Sequence, residues 1–104
     1  MDFSHLAQKL GLEEDEFLEL VTLFVDTGRT TLSSLHACLS RDDYDGAAKE
    51  AHSFKGAAGN LGFKEMHENA KALESAVKSR IPGDITLRMD QLTYALEELS
   101  LQVS

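Results

Sequence analysis

Apolar residues recur three or four positions apart along almost the whole chain, the spacing of a buried stripe on an α-helix. The longest run joins Phe17, Leu20, Val21, Phe24, Gly28, Thr31, Leu35, Cys38 and Leu39. It predicts one helix from about Glu13 to Leu39, roughly 40 Å long at ~1.5 Å per residue. Glu13, Glu14, Asp15 and Glu16 crowd its start, where the helix dipole favours negative charge. A short amphipathic piece (Phe3, Leu6, Ala7, Leu10) precedes it and closes at Gly11, a C-cap signal. After the polar turn Ser40-Arg41-Asp42-Asp43, where Asp42 or Asp43 is available as a cap, a second long helix buries Tyr44, Ala47, Ala51, Phe54 and Ala58 and ends at Gly59-Asn60. A third carries Phe63, Met66, Ala70, Leu73 and Val77 on one face. Ile81-Pro82-Gly83-Asp84 stops it and offers Asp84 as the next N-cap. The last helix has a heptad-like seam of Ile85, Met89, Leu92, Leu96, Leu99 and Val103.

No segment alternates with period two over a useful length, so the expected fold is all-α. Four long amphipathic helices joined by short turns read as an antiparallel up-down-up-down four-helix bundle, with the short N-terminal helix capping one end. No repeat, low-complexity tract or linker divides the sequence, and residues 1–104 are expected to form a single domain.

Composition narrows the function classes. The chain is 42% hydrophobic and 27% charged, a balance that supports a packed core and excludes a disordered chain. No apolar run approaches the ~20 residues of a membrane helix. Met1-Asp2-Phe3-Ser4-His5 lacks the basic and apolar regions of a secretory signal, and the single cysteine, Cys38, fits a reducing compartment. A cytoplasmic location is the expectation. Ten Lys+Arg stand against eighteen Asp+Glu, a net charge of −8 that a nucleic-acid backbone would repel. No Walker-type glycine loop and no GxGxxG is present to cradle phosphates, so neither an ATP site nor autonomous catalysis is expected. A small acidic domain that works by touching another protein remains.

The informative stretch is Ala51-His52-Ser53-Phe54-Lys55-Gly56-Ala57-Ala58-Gly59-Asn60-Leu61-Gly62. At ~100° per residue, His52 lies roughly 130° from the centre of the core stripe and faces solvent. Lys55, three residues on, lies between the imidazole and the core edge. The surroundings are bare: Ala48 four residues before, Gly56 four after and Gly59 seven after. Glycine inside a helix costs about 1 kcal/mol relative to alanine, so two of them beside an exposed histidine suggest close approach by something large. A free imidazole titrates near ~6.5 and is largely neutral at cytoplasmic pH, with one nitrogen lone pair able to attack a phosphoryl group. Lys55 supplies a cation for the phosphoryl oxygens. No general base or oxyanion hole stands nearby, so a partner must bring the catalytic machinery.

His52-x-x-Lys55-Gly56 followed by Gly62 matches the HxxKGxxxxxG signature, and the chain resembles the histidine-containing phosphotransfer (HPt) domains over nearly its whole length. The resemblance implies a four-helix bundle that carries phosphoryl groups in a two-component phosphorelay. His52 would be the phosphoacceptor at Nε2 and Lys55 the phosphoryl-stabilising cation. Gly56 would clear space for a receiver domain, and Gly62 would shape the turn with Leu61 seating it. The implied partners are a response-regulator receiver domain and a histidine kinase or hybrid kinase. Mg²⁺ would belong to the receiver, with no cofactor on this chain. A polar uncharged residue often faces the histidine from the next helix; Glu74 is the candidate here, and its charge is a departure that could weaken phosphoryl binding or steer partner choice.

His5, His36 and His67 lack metal-ligand spacing, so no metal site is expected; His67, near Glu65 and Glu68, reads as a surface residue. Cys38 reads as a small apolar core residue, and Met66 and Met89 as core. The docking face is expected to combine an apolar patch around the histidine helix with a polar rim, drawing on Phe3 or Leu6 together with Leu61 and Lys64. A monomeric carrier is the main reading. The alternative is a helical adaptor that binds and sequesters a receiver without relaying.

Overall fold

The computed structural model describes residues 2–103 of the chain. Among the described residues five helices follow one another: α1 (Phe3–Lys9), α2 (Glu14–Ser40), α3 (Tyr44–Asn60), α4 (Lys64–Ser79) and α5 (Pro82–Val103). Their bounds follow from local chemistry. Asp2 accepts the His5 N–H and starts α1, while the Glu16 side chain accepts the Glu13 N–H at 2.9 Å and opens α2. Between the two candidate aspartates after α2, Asp43 is the cap: its carboxylate accepts the Gly46 N–H at 2.9 Å. Asp84 is not a cap. Pro82, whose fixed φ suits a first helical position, begins α5, which leaves Asp84 inside the first turn opposite the positive dipole end.

The four helix ends that precede a turn close alike. At each, the residue after a left-handed one donates its N–H to the helix carbonyl five positions back: Leu12 to Ala7, Asp43 to Cys38, Phe63 to Ala58 and Ile81 to Ala76. The left-handed residue is Gly11 (φ +71) after α1 and Gly62 (φ +82) after α3, but Asp42 (φ 57) after α2 and Arg80 (φ 54) after α4.

α2 packs on α3, α3 on α4, α4 on α5, and α5 back on α2, with no diagonal pairing among the described residues. Short turns make neighbours antiparallel, so this closed ring is the expected up-down-up-down bundle, 42 Å along its longest extent. Its core is one cluster that includes Phe17, Phe24, Leu35, Phe54, Leu73, Leu92, Leu96 and Leu99. The α2 stripe departs from expectation at one edge. Val25 and Leu32 are buried while Leu20 is 41% exposed, because the stripe tilts toward α5, where Arg29 clasps Glu97 with two 3.0 Å hydrogen bonds. Met66 and Cys38 are buried as expected, whereas Met89 is only half-buried. α1 lies against α2 at one end. There the rings of Phe3 and Phe17, then of Phe17 and Phe63, stand 6.2 Å apart, which ties α1 to the turn that follows α3.

Candidate functional site

Phe54, 2% exposed, is the anchor that sets the rotation of α3, with its ring 5.4 Å from that of Phe24. With Phe54 inward, His52 points out of the bundle, its side chain 66% exposed. Lys55 leans toward α4 and is 22% exposed. Between them, from α4, comes Glu74. One carboxylate oxygen lies 2.8 Å from Lys55 Nζ; the other lies 3.2 Å from His52 Nδ1 and 3.3 Å from Lys78 Nζ. The structure therefore brings together His52, Lys55 and Glu74 from the sequence reading and adds Lys78. The signal for Lys78 was present, since a glutamate four residues before a lysine on one helix is a favourable pair.

Glu74 is only 12% exposed, yet its carboxyl is held down to about 2 from the ordinary 4.5. The Lys55 hydrogen bond is the chief cause; burial opposes it, and Lys78 adds to it. An ionised carboxylate can only accept hydrogen bonds, so His52 Nδ1 must carry the proton in their contact. In the neutral form of the ring the lone pair is then at Nε2. No group among the described residues hydrogen-bonds that nitrogen.

A carboxyl depressed in the folded state stabilises the fold above its unfolded value, and that contribution disappears as pH falls through the folded value. The stabilisation that Glu74 provides should thus be full above pH 4.5 and vanish toward about 2. Urea unfolding of the wild type and Glu74→Gln should show a gap that closes across this window, the remaining carboxylates titrating alike in both. A gap unchanged between pH 6 and pH 2 would mean that Glu74 is not held by these lysines.

The Hpt domain family model matches residues 19–102. The chain belongs to the Hpt domain family. Hpt domains are phosphotransfer carriers rather than catalysts, and membership supports a carrier role in a phosphorelay. No curated protein and no solved structure gave a significant match.

The remaining candidates of this Hpt chain occupy three different settings. Gly56 is exposed one turn beyond His52, and a Cβ built there would meet nothing within 4 Å. Leu61, Gly62 and Lys64 lie at the α3–α4 turn, roughly 14 Å from His52 along the axis at ~1.5 Å per residue. Leu6 of α1 reaches that turn, 3.3 Å from where a Gly62 Cβ would stand, and Phe3 joins it through the aromatic contacts. Ala48 does not belong to the open surface. It is 8% exposed, because the flank of α3 between the core and His52 is covered by α4, against which α3 packs most extensively.

Two further corrections concern the surroundings. His67 is no free surface residue: it is half-buried, and its Nδ1 donates to the Lys55 carbonyl at 3.0 Å. Gly59 is what admits it, since a Cβ there would stand 2.9 Å from that ring nitrogen. Nor does α3 itself carry an exposed large hydrophobic residue. Among the described residues such side chains near it belong to α2, where Leu20 is 41% and Leu23 62% exposed. These leucines sit on the flank opposite the Arg29–Glu97 clasp, hence on the α3 side of α2, within a turn of Phe24, which touches Phe54.

No helix among the described residues is long and apolar enough to cross a membrane.

Proposed function

We propose that the protein is a phosphohistidine carrier that accepts a phosphoryl group on His52 Nε2 and exchanges it with a receiver-domain aspartate. The observation that carries this reading is an exposed imidazole whose Nδ1 is engaged by an ionised carboxylate at 3.2 Å, with a lysine beside it. The tautomer suits the chemistry. The Nε2 lone pair attacks phosphorus, the N–P bond forms, the P–O bond to the aspartate breaks, and the carboxylate leaves with the electron pair. Nε2 has no proton to shed. Positive charge develops on the ring instead, next to Glu74, so the acid that departs from the family pattern stabilises the loaded imidazolium. In the reverse direction the ring leaves as the neutral tautomer. Lys55 reaches the phosphoryl oxygens and offsets their charge. The receiver, with its own Mg²⁺ and aspartate, supplies the remaining machinery, and a histidine kinase or hybrid kinase stands upstream of it.

The receiver docks over Gly56, with the apolar contact supplied by Leu20 and Leu23 of α2 and the polar rim by the α3–α4 lysines. Phe3, Leu6, Leu61 and Lys64 form the far edge of that footprint. The protein works as a monomer in the cytoplasm.

Gly56→Gln should separate docking from folding. With nothing near its Cβ, the substitution should stabilise the helix by about 0.5–1 kcal/mol in urea unfolding while slowing transfer from a receiver at least tenfold. Unchanged transfer would remove the clearance argument.

The test of the function is incubation with a phosphorylated receiver and Mg²⁺. Acid-labile, base-stable label on this chain is the expected result. A chain that binds the receiver and stays unlabelled would be the sequestering adaptor instead.

A further inference from the structure

We propose that Lys78 is a positioning residue of the phosphotransfer site, taking over the Glu74 carboxylate when Lys55 turns from it to the phosphoryl oxygens on His52. The inference rests on His52 being phosphorylated, and the geometry supplies the rest. Lys55 Nζ is committed to Glu74 at 2.8 Å before any phosphoryl group arrives. A phosphoryl group on Nε2 adds a second anionic centre to a ring that already holds a carboxylate on Nδ1. One lysine cannot neutralise both. Were Lys55 to leave without replacement, a carboxylate only 12% exposed would keep the ring N–H as its one remaining partner, and a poorly solvated anion is costly.

Lys78 removes that conflict. It sits on α4 one turn beyond Glu74, 3.3 Å from the oxygen that also faces His52, so the pair stays together whatever α3 does. The orientation, glutamate before lysine at four residues, is the favourable one. Its side chain is 65% exposed, free to follow the carboxylate, whereas Lys55 is 22% exposed and confined between Glu74 and the histidine face. Two cations thus serve two anions in turn, and the loaded site is built without leaving either anion bare.

The experiment uses the intact chain phosphorylated chemically with phosphoramidate, a small donor that needs no protein partner, and reads phosphoryl protonation by ³¹P NMR titration. A cation on the phosphoryl oxygens lowers their pKa. Lys78→Met should keep Lys55 on Glu74 and so raise the phosphoryl pKa by about half a unit, the scale of a part-exposed ion pair. Lys78→Arg should restore it. In a Lys55→Met background Lys78→Met should have little further effect, because Lys78 acts through Lys55. Far-UV circular dichroism checks that each variant folds. An unshifted titration in Lys78→Met overturns the proposal, as does a shift of equal size with and without Lys55, which would make Lys78 a direct partner of the phosphoryl group. A wild-type chain that takes no phosphoryl group on His52 from phosphoramidate overturns it too. Failure of the carrier reading looks different: His52 is loaded chemically and titrates as described, yet no receiver exchanges label with it.

Discussion

His52→Gln is expected to remove all acid-labile phosphoryl label from the chain while leaving the bundle intact. Glutamine keeps a polar side chain of similar reach but has no nitrogen lone pair available for attack. The position is 66% exposed, and substitutions at such sites move stability by about 0.5 kcal/mol or less. The loss of the Nδ1 contact leaves Glu74 with Lys55 and Lys78, so no buried charge is stranded. The measurement is label transferred from a phosphorylated receiver, scored beside the circular dichroism spectrum and the urea midpoint. Label persisting at wild-type level on a folded variant would move the acceptor to His5, His36 or His67. Of these, His67 has its Nδ1 committed to the Lys55 carbonyl, with its ring filling the space that Gly59 leaves open.

The contrast between His52 and His67 shows what a sequence can reveal. The outward angle of His52 followed from counting around α3, because Ala47, Ala51, Phe54 and Ala58 fix the inward direction. The bundle followed for the same reason, as every long helix carries an unbroken stripe. What failed were features that depend on a second element. Ala48 was legible as lying on the flank of His52, but whether α4 covers that flank is not written in α3. His67 looked free because its partner is a backbone carbonyl, and those leave no residue-level trace. Glu74 came into view through the family resemblance rather than through spacing, and the lysine one turn later was overlooked although the pair is local. The helix ends divide similarly. Gly11 and Gly62 announce left-handed residues, whereas Asp42 and Arg80 take that conformation because the following turn requires it.

Phe54→Ala is expected to cost about 3–5 kcal/mol, a large share of the ~5–15 kcal/mol that holds a domain of this size. The ring is 2% exposed, meets Phe24 edge-on at 5.4 Å, and lies in the centre of the bundle, where little can collapse into its space. A melting point lower by at least about 12 °C follows, at ~4 °C per kcal/mol or more. The position matters to function because Phe54 stands between His52 and Lys55 in sequence. Its burial is what turns both toward Glu74. The cavity should also be partly refillable from α2. A Cβ on Gly28 would stand 3.2 Å from the Phe54 ring and 3.1 Å from Leu96, so Gly28→Ala alone should be strained. With the ring gone, one of those two contacts disappears. Gly28→Ala should then cost less, or add stability through its helix propensity of about 1 kcal/mol over glycine. Urea unfolding of the four variants in this cycle should show coupling of at least 0.5 kcal/mol, the lower limit for residues in contact. Additive effects, or a loss below about 1 kcal/mol in Phe54→Ala, would mean that the histidine helix takes its rotation from some other contact.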